Sequence, residues 1–352
     1  MKKRIRSNNR NKKFKIKKGK KITKMKKERK ILKIIFSFFL FVIYLLFFTF
    51  KKEAETILSP YIKEQKDFCE NMEKYYNQQI EDKLELVDIH INGEDYKMYV
   101  PYKGKKDTSY KTNHYFEKNE SLNFISALEY YSKKKNIINK KDIFMLDIGG
   151  NIGWYPSLLG RYGYTILTFE PYPNNYYVNR KNYCLLNRNS NVIIITKGLN
   201  NEEKICDFYM QNTSRANGLT LCNDNKDKIV TGNFIKHSKV VLTKLSNFIP
   251  FLSKKNVALI KIDIEGSEGI VIENGINLIK KYKVPFVFIE FTPKLLIEHK
   301  TEPKKFIQIF LDNGYKISTE GFLSNNYISY DELIQITGYQ INIYLVYKEF
   351  LN

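Results

Sequence analysis

Histidine and cysteine are scarce in this 352-residue chain, four of each, and that scarcity excludes several chemistries. No cysteines stand as C-x-x-C, and no Cys/His group has zinc spacing, so no metal site is expected from them. His90, His114, His237 and His299 form no pair, and only His299 is placed to serve as a base. The dinucleotide fingerprint G-x-G-x-x-G is missing. Excess positive charge is also missing from most of the chain. The formal charge is +22, but residues 1–33 hold 18 Lys or Arg against Glu28 alone, so the rest carries 22 − 17 = +5. A nucleic-acid partner would rest on that tail alone, and none is expected.

The tail runs into residues 34–50, IIFSFFLFVIYLLFFTF, 17 positions without charge, Pro or Gly. That length is at the short end for a membrane-spanning helix, and no small-residue cleavage site follows it. The positive-inside rule then keeps the tail in the cytosol. The expectation is a single-pass membrane protein: a basic tail at 1–33, a transmembrane signal anchor at 34–50, a helical stem at 51–85 and a domain at 86–352, its core at about 120–350. The catalytic domain is expected to be lumenal in the secretory pathway. An oxidising lumen allows disulfides among Cys69, Cys184, Cys206 and Cys222, with Cys206–Cys222 a candidate by proximity in sequence. Asn119-Glu120-Ser121 and Asn212-Thr213-Ser214 are glycosylation triplets that fit that compartment.

Leu86–Ile91 and Tyr96–Val100 alternate around Asn92-Gly93, which predicts a hairpin. From Ile143 short apolar runs alternate with helical stretches. Strands are expected at Ile143–Asp147, Thr165–Phe169, Val192–Thr196, Val257–Ile264, Val284–Glu290 and Asn342–Tyr347. The stretch Asn201–Leu242 reads as less regular, with extended runs at Lys204–Met210 and Lys239–Leu242, and as part of an acceptor pocket. The pattern is α/β: a Rossmann-like, doubly wound, mostly parallel sheet covered on both faces. Such sheets bind ligands beyond the carboxyl ends of their strands.

The stretch Ile143–Trp154, IFMLDIGGNIGW, is the centre of the reading. An apolar strand leads into a glycine turn and then a helix. Glycines let backbone approach a ligand, and the helix start offers free N–H groups. The pattern is D-x-G-x-N-x-G, from Asp147, Gly149, Asn151 and Gly153. An acid at that point repels a pyrophosphate and suits a ligand with a cationic centre, which favours S-adenosylmethionine over NAD. Acids recur where strands end: Glu170, Asp263 with Glu265, and Glu290. Glu170 is placed to bond ribose hydroxyls. Tyr172 is placed against an adenine or is plain core, and Gly198 flanks the adenine or is an ordinary turn residue. Asp263 is expected near the reacting methyl. Glu265 would deprotonate or orient an acceptor hydroxyl, and Glu268 suits the start of the next helix.

The segments LDIGGNIGWYPSLL, FEPYP and IKIDIEGSEGIVIENG resemble the FkbM-type methyltransferases, a branch of the class I S-adenosylmethionine-dependent enzymes. The resemblance spans about Leu122–Phe291. It implies a seven-stranded Rossmann-like sheet and O-methylation of hydroxyls, often of sugars or polyketides. Asp147, Gly149, Asn151 and Gly153 would cradle the methionine part of the cofactor, Glu170 the ribose, and Asp263 and Glu265 would lie beside the methyl. One element departs: Thr243-Lys244-Leu245-Ser246 has Ser246 where the family has an acid. The expected function is membrane-anchored O-methyl transfer to a small-molecule or glycan acceptor. The alternative is a catalytically inactive, membrane-tethered scaffold of the same fold.

Overall fold

The computed structural model describes residues 33, 35–41, 56–72, 83–101, 114–186, 191–211, 214–222 and 234–351. The chain divides into two compact units, Met1–Thr56 and Ile57–Asn352. In the first, residues 33 and 35–41 are helical with exposed side chains. Most of the basic tail and of the 34–50 segment lies outside the described residues. Among the described residues, no helix is long and apolar enough to cross a membrane.

Helix α1 covers 56–70 and belongs to the second unit from residue 57 on. Strands β1 (Leu84–Ile91) and β2 (Glu94–Pro101) form the expected hairpin, turning at Asn92 and Gly93 with positive φ. After α2 (Lys118–Lys135) the alternation begins: β3 (Ile143–Ile148), α3 (Trp154–Arg161), β4 (Thr165–Phe169), α4 (Pro173–Leu185), β5 (Asn191–Ile195). Then come β6 (Gly198–Leu199), β7 (Lys204–Gln211), β8 (Ser214–Leu221) and β9 (Phe234–Thr243). The last part holds β10 (Asn256–Ile262), α5 (Glu268–Asn274), β11 (Phe286–Phe291), β12 (Tyr315–Ser318) and β13 (Ile341–Tyr347).

The main sheet has seven strands in the order β12-β13-β11-β10-β3-β4-β5. The five from β11 to β5 run parallel, while β13 is antiparallel to both β11 and β12. The chain winds outward from β3 in one direction and from β10 in the other. The crevice between the ends of β3 and β10 is therefore the topological switch point, where ligands bind in open α/β sheets. Strands such as VALIKI are buried along their length, as parallel strands covered by helices must be.

The structure corrects or extends the sequence reading in three places. Strand β10 stops at Ile262, so Asp263 and Glu265 lie in the turn beyond it. The two extended runs of the less regular stretch are β7 and the end of β9, and they belong to a second sheet, β6-β9-β7-β8, that the sequence reading did not assemble. The expected helical stem is helical at residues 56–70, and it also packs on the domain. Gln65 Nε2 of α1 donates to Val192 O, and Gln65 Oε1 accepts from Ile194 N, both at 2.9 Å, so one side chain continues the ladder of edge strand β5. Glu64 pairs with Arg180 at 2.9 Å, and Phe68 meets Tyr177 edge-on. All four cysteines are bonded, as Cys69–Cys184 and Cys206–Cys222.

Candidate active site

Asp147 is the next-to-last residue of β3 and has a partner on each side in the sheet. Asp147 lies in register with Thr168 of β4 and Lys261 of β10. Thr168 Oγ1 donates to Asp147 Oδ2 at 2.9 Å. Lys261 Nζ stands 3.7 Å from Asp147 Oδ1 and 3.2 Å from Asp263 Oδ2. Burial pushes the Asp147 carboxyl up, against the pull of Lys261. Burial also pulls the Lys261 ammonium down, but the charges of Asp263, Asp147 and Glu117 hold it above its ordinary value.

The glycine turn lies over these groups. Gly149 N and Gly150 N both donate to Phe169 O, at 3.1 and 3.0 Å. Gly149 has φ +88, and a Cβ there would stand 1.9 Å from Asp263 O. A Cβ on Gly150 would stand 1.9 Å from Thr168 Oγ1. Neither position has room for a side chain. Asn151 is left-handed at φ +46 and Gly153 at φ +85, so the turn uses conformations that L-residues resist.

Glu170 sits just past β4 and is buried. Its carboxylate accepts from Asn151 N at 2.8 Å and Tyr172 N at 2.9 Å. Burial holds its carboxyl up to about 7, against those two bonds. Glu170 thus braces the turn, with lone pairs left for a ligand. Tyr172 is stacked on Phe208 at 4.5 Å within a small apolar cluster under the second sheet.

Across the crevice, ligand atoms of Asp263, Glu265 and Glu290 all lie within 4.8 Å of one another. Glu265 holds a left-handed φ of +55. Burial, then the charge of Asp263, raises the Glu265 carboxyl to about 8; burial first also raises Glu290. Gln340 Nε2 donates to Glu290 at 2.9 Å. Such a trio is also the donor set a divalent cation takes, though carboxylates alone do not assign one. Glu268 faces away from this group: its carboxylate accepts from Ile264 N and Gly266 N at 3.1 Å, capping the turn before α5.

A cavity of about 170 Å³ opens beside the turn. Gly149 and Gly198 line it, with apolar walls from Leu199, Leu242 and Ile264, and Cys222 at one side. His299 also borders it; its Nδ1 is 3.3 Å from Ser267 Oγ, and burial lowers its pKa. The structure thus brings Asp147, Gly149, Asn151, Gly153 and Glu170 together at one turn, with Asp263 and Glu265 facing them. Gly198 reaches the cavity, whereas Tyr172 packs behind it.

Sequence reasoning missed Glu117. Glu117 precedes α2 with φ +41, and its Oε2 accepts from Tyr155 OH at 2.6 Å. Burial holds its carboxyl up to about 7, and Lys261 and Asp263 are among its charged neighbours. Nothing in its local sequence marks it, because only the packing of α2 against α3 brings it to the site.

A doubly wound sheet with a glycine turn and facing carboxylates at its switch point has the arrangement in which open α/β sheets bind their ligands. Residues 147–317, just under half of the chain, match the family model described as the methyltransferase FkbM domain. A search of curated proteins finds no match. Among solved structures, magnesium protoporphyrin IX methyltransferase from Synechocystis is similar at 12% identity, over 70% of this chain and 89% of that one, with a TM-score of 0.34. TYW2 from P. horikoshii is similar at 11% identity, over 82% and 83%, with a TM-score of 0.33. Phosphoethanolamine N-methyltransferase 2 from Haemonchus contortus is similar at 10% identity, over 81% and 74%, with a TM-score of 0.32.

The match to a methyltransferase domain points to S-adenosylmethionine as the methyl donor. The residues fit it. The turn leaves no room for side chains at Gly149 and Gly150, and an apolar cavity adjoins it. Asp147, Asp263, Glu265, Glu290 and Glu117 surround the single ammonium of Lys261, so the crevice favours a cationic ligand.

Proposed function

We propose that this chain is a membrane-anchored O-methyltransferase acting on a hydroxyl of a glycan or glycolipid. The observation that carries the reading is the facing of Asp263 and Glu265 against the donor-binding turn across one crevice. Gly149, Asn151 and Gly153 would hold the methionine end of the donor, Glu170 the ribose and Gly198 the adenine. The donor supplies an electrophilic methyl on a sulfonium. The chain has two tasks left: to hold an acceptor oxygen in line, and to accept its proton. Glu265 suits the second task. A carboxyl held up to about 8 both takes and releases a proton near neutral pH. Asp263, fixed by Lys261 at 3.2 Å, suits the orientation of the acceptor.

The anchor reading is supported by the 17-residue apolar run after 18 basic residues, and by the exposed Ile35, Phe36, Phe38 and Phe39. Two disulfides support an oxidising compartment for the domain, because such bonds persist mainly in secretory lumens and outside cells. Vesicles carrying the full-length chain test both parts. Labelled methyl from S-adenosylmethionine should enter the alkali-stable carbohydrate fraction, and the domain should resist external protease. Label confined to protein or amine products would sink the O-methyl reading. Digestion of the domain in sealed vesicles would sink the orientation.

A further inference from the structure

Five strands share one register row: Phe288, Lys261, Asp147, Thr168 and Ile194. Its three middle members are polar and buried, Lys261 at 4% exposure, Asp147 at 1% and Thr168 at 0%. Charges buried in a parallel sheet are poor stabilisers; well-packed apolar residues do as well or better. The row therefore calls for another account, and its contacts supply one. Lys261 Nζ donates to Gly149 O at 2.7 Å. The same nitrogen reaches Asp263 Oδ2 and Asp147 Oδ1. One ammonium thus touches the donor-binding turn, the strand-end acid beneath it, and the first carboxylate of the opposite motif. Tyr155 covers it from α3, with its ring centroid 5.9 Å away and its hydroxyl bonded to Glu117. Asp147 turns inward to Thr168 and Lys261, so it acts on the site through them.

We propose that Lys261 is a positioning residue for methyl transfer. Its ammonium, compensated by Asp147, fixes the Gly149 carbonyl and the Asp263 carboxylate as one unit, so the turn that holds the donor and the motif that meets the acceptor keep one geometry. The proposal rests on the S-adenosylmethionine reading of the crevice. Removing the ammonium frees the Gly149 carbonyl and leaves Asp263 without its cation. The first effect weakens any ligand on the turn. The second leaves more negative charge facing a sulfonium, which offsets the loss for S-adenosylmethionine and not for neutral S-adenosylhomocysteine.

The test is calorimetric titration of both ligands into the full-length chain in detergent. It compares the wild type with Lys261→Met, Lys261→Gln, Asp147→Asn and the Lys261→Met/Asp147→Asn double variant. Lys261→Met should lose about ten- to a hundredfold in S-adenosylhomocysteine affinity, the scale of one hydrogen bond to a charged group. It should lose less for S-adenosylmethionine, so the ratio of the two affinities rises. The double variant should bind no worse than the weaker single one, because both act through one unit. Equal losses for both ligands, unchanged binding, or losses that multiply in the double variant overturn the proposal. So does failure of both Lys261 variants to fold, which would make the row a stability device. A wild type that binds neither ligand sinks the methyltransferase reading itself. A wild type that binds, beside a Lys261→Met that binds equally well, sinks only the role of Lys261.

Discussion

Gly150 gives the sharpest steric test of how the turn is built. Its φ is not positive, so Gly150→Ala carries no left-handed backbone cost, only the collision of a new Cβ with Thr168 Oγ1 at 1.9 Å. The next atoms stand at 3.2 Å for Asp147 Oδ2 and 3.3 Å for Thr168 Cβ. Overpacking of this kind costs about 1–3 kcal/mol. Thr168→Ala removes the colliding oxygen. Alone it strips Asp147 Oδ2 of its 2.9 Å donor, which costs about 1–3 kcal/mol for a buried charged acceptor. In the double variant the collision is gone while the lost hydrogen bond is counted once. Its cost should therefore fall short of the summed single costs by about 1–2 kcal/mol. The assay is urea unfolding of the second compact unit, residues 57–352. Trp154, the sole tryptophan, is the probe: it opens α3 right after the turn, is buried, and donates to Ser121 Oγ at 2.9 Å. Costs that add to within about 0.5 kcal/mol would refute the collision and the account of the turn resting on Thr168.

The other predictions concern cross-links and charge. Removing Cys69–Cys184, which closes a separation of 115 residues, should lower stability by about 5 kcal/mol in the chain-entropy picture. Removing Cys206–Cys222, at a separation of 16, should cost about 3 kcal/mol. Paired serine variants in urea check both, and equal costs would contradict the ordering. Ser121→Ala should cost about 1–3 kcal/mol by removing the Ser121 hydroxyl that accepts from the buried Trp154 N–H, read as a shifted midpoint. The ligand-free unit should lose stability as pH rises from about 5 to 8. Folding raises Glu117, Glu170 and Glu268 from 4.5 to about 7 and Glu265 to about 8, each chiefly by burial. The folded state then binds more protons than the unfolded chain over that window, so the contribution is present below 4.5 and lost through 7–8. Melting temperatures by scanning fluorimetry check this. Glu265→Gln should flatten the upper end, and a profile that rises across the window would contradict it.

Much of the centre was legible because local pattern and tertiary role agree there. IFMLDI is buried along its whole length and carries no competing period, so strand, turn and helix follow from the residues alone. The strand-end acids were readable because a parallel sheet sends all its carboxyl ends to one edge. Strand β12 was not, since YKIS is four residues long and mixed in character. Of the second sheet only the runs in β7 and β9 were readable, and its assembly was hidden for a different reason. Its strands pair across long separations, Lys204 with Leu242 for example, and β7 places Ile205 outward at 64% exposure, which blurs the alternation. The role of α1 was equally invisible: Gln65 reads as a polar helix residue, and only the edge of β5 gives its amide a ladder to join. The place of Lys261 was hidden as well. The register that sets it beside Asp147 and under Gly149 exists only once β3 and β10 are neighbours.

The central claim is that the crevice at the β3–β10 switch point binds S-adenosylmethionine. The most direct measurement is a side-by-side titration of the full-length chain with S-adenosylhomocysteine and with NAD, repeated on Glu170→Ala. Binding of the first and not the second, weakened about tenfold or more when the Glu170 brace is removed, is what the account predicts. A folded chain that binds NAD, or that takes up neither ligand, would contradict it.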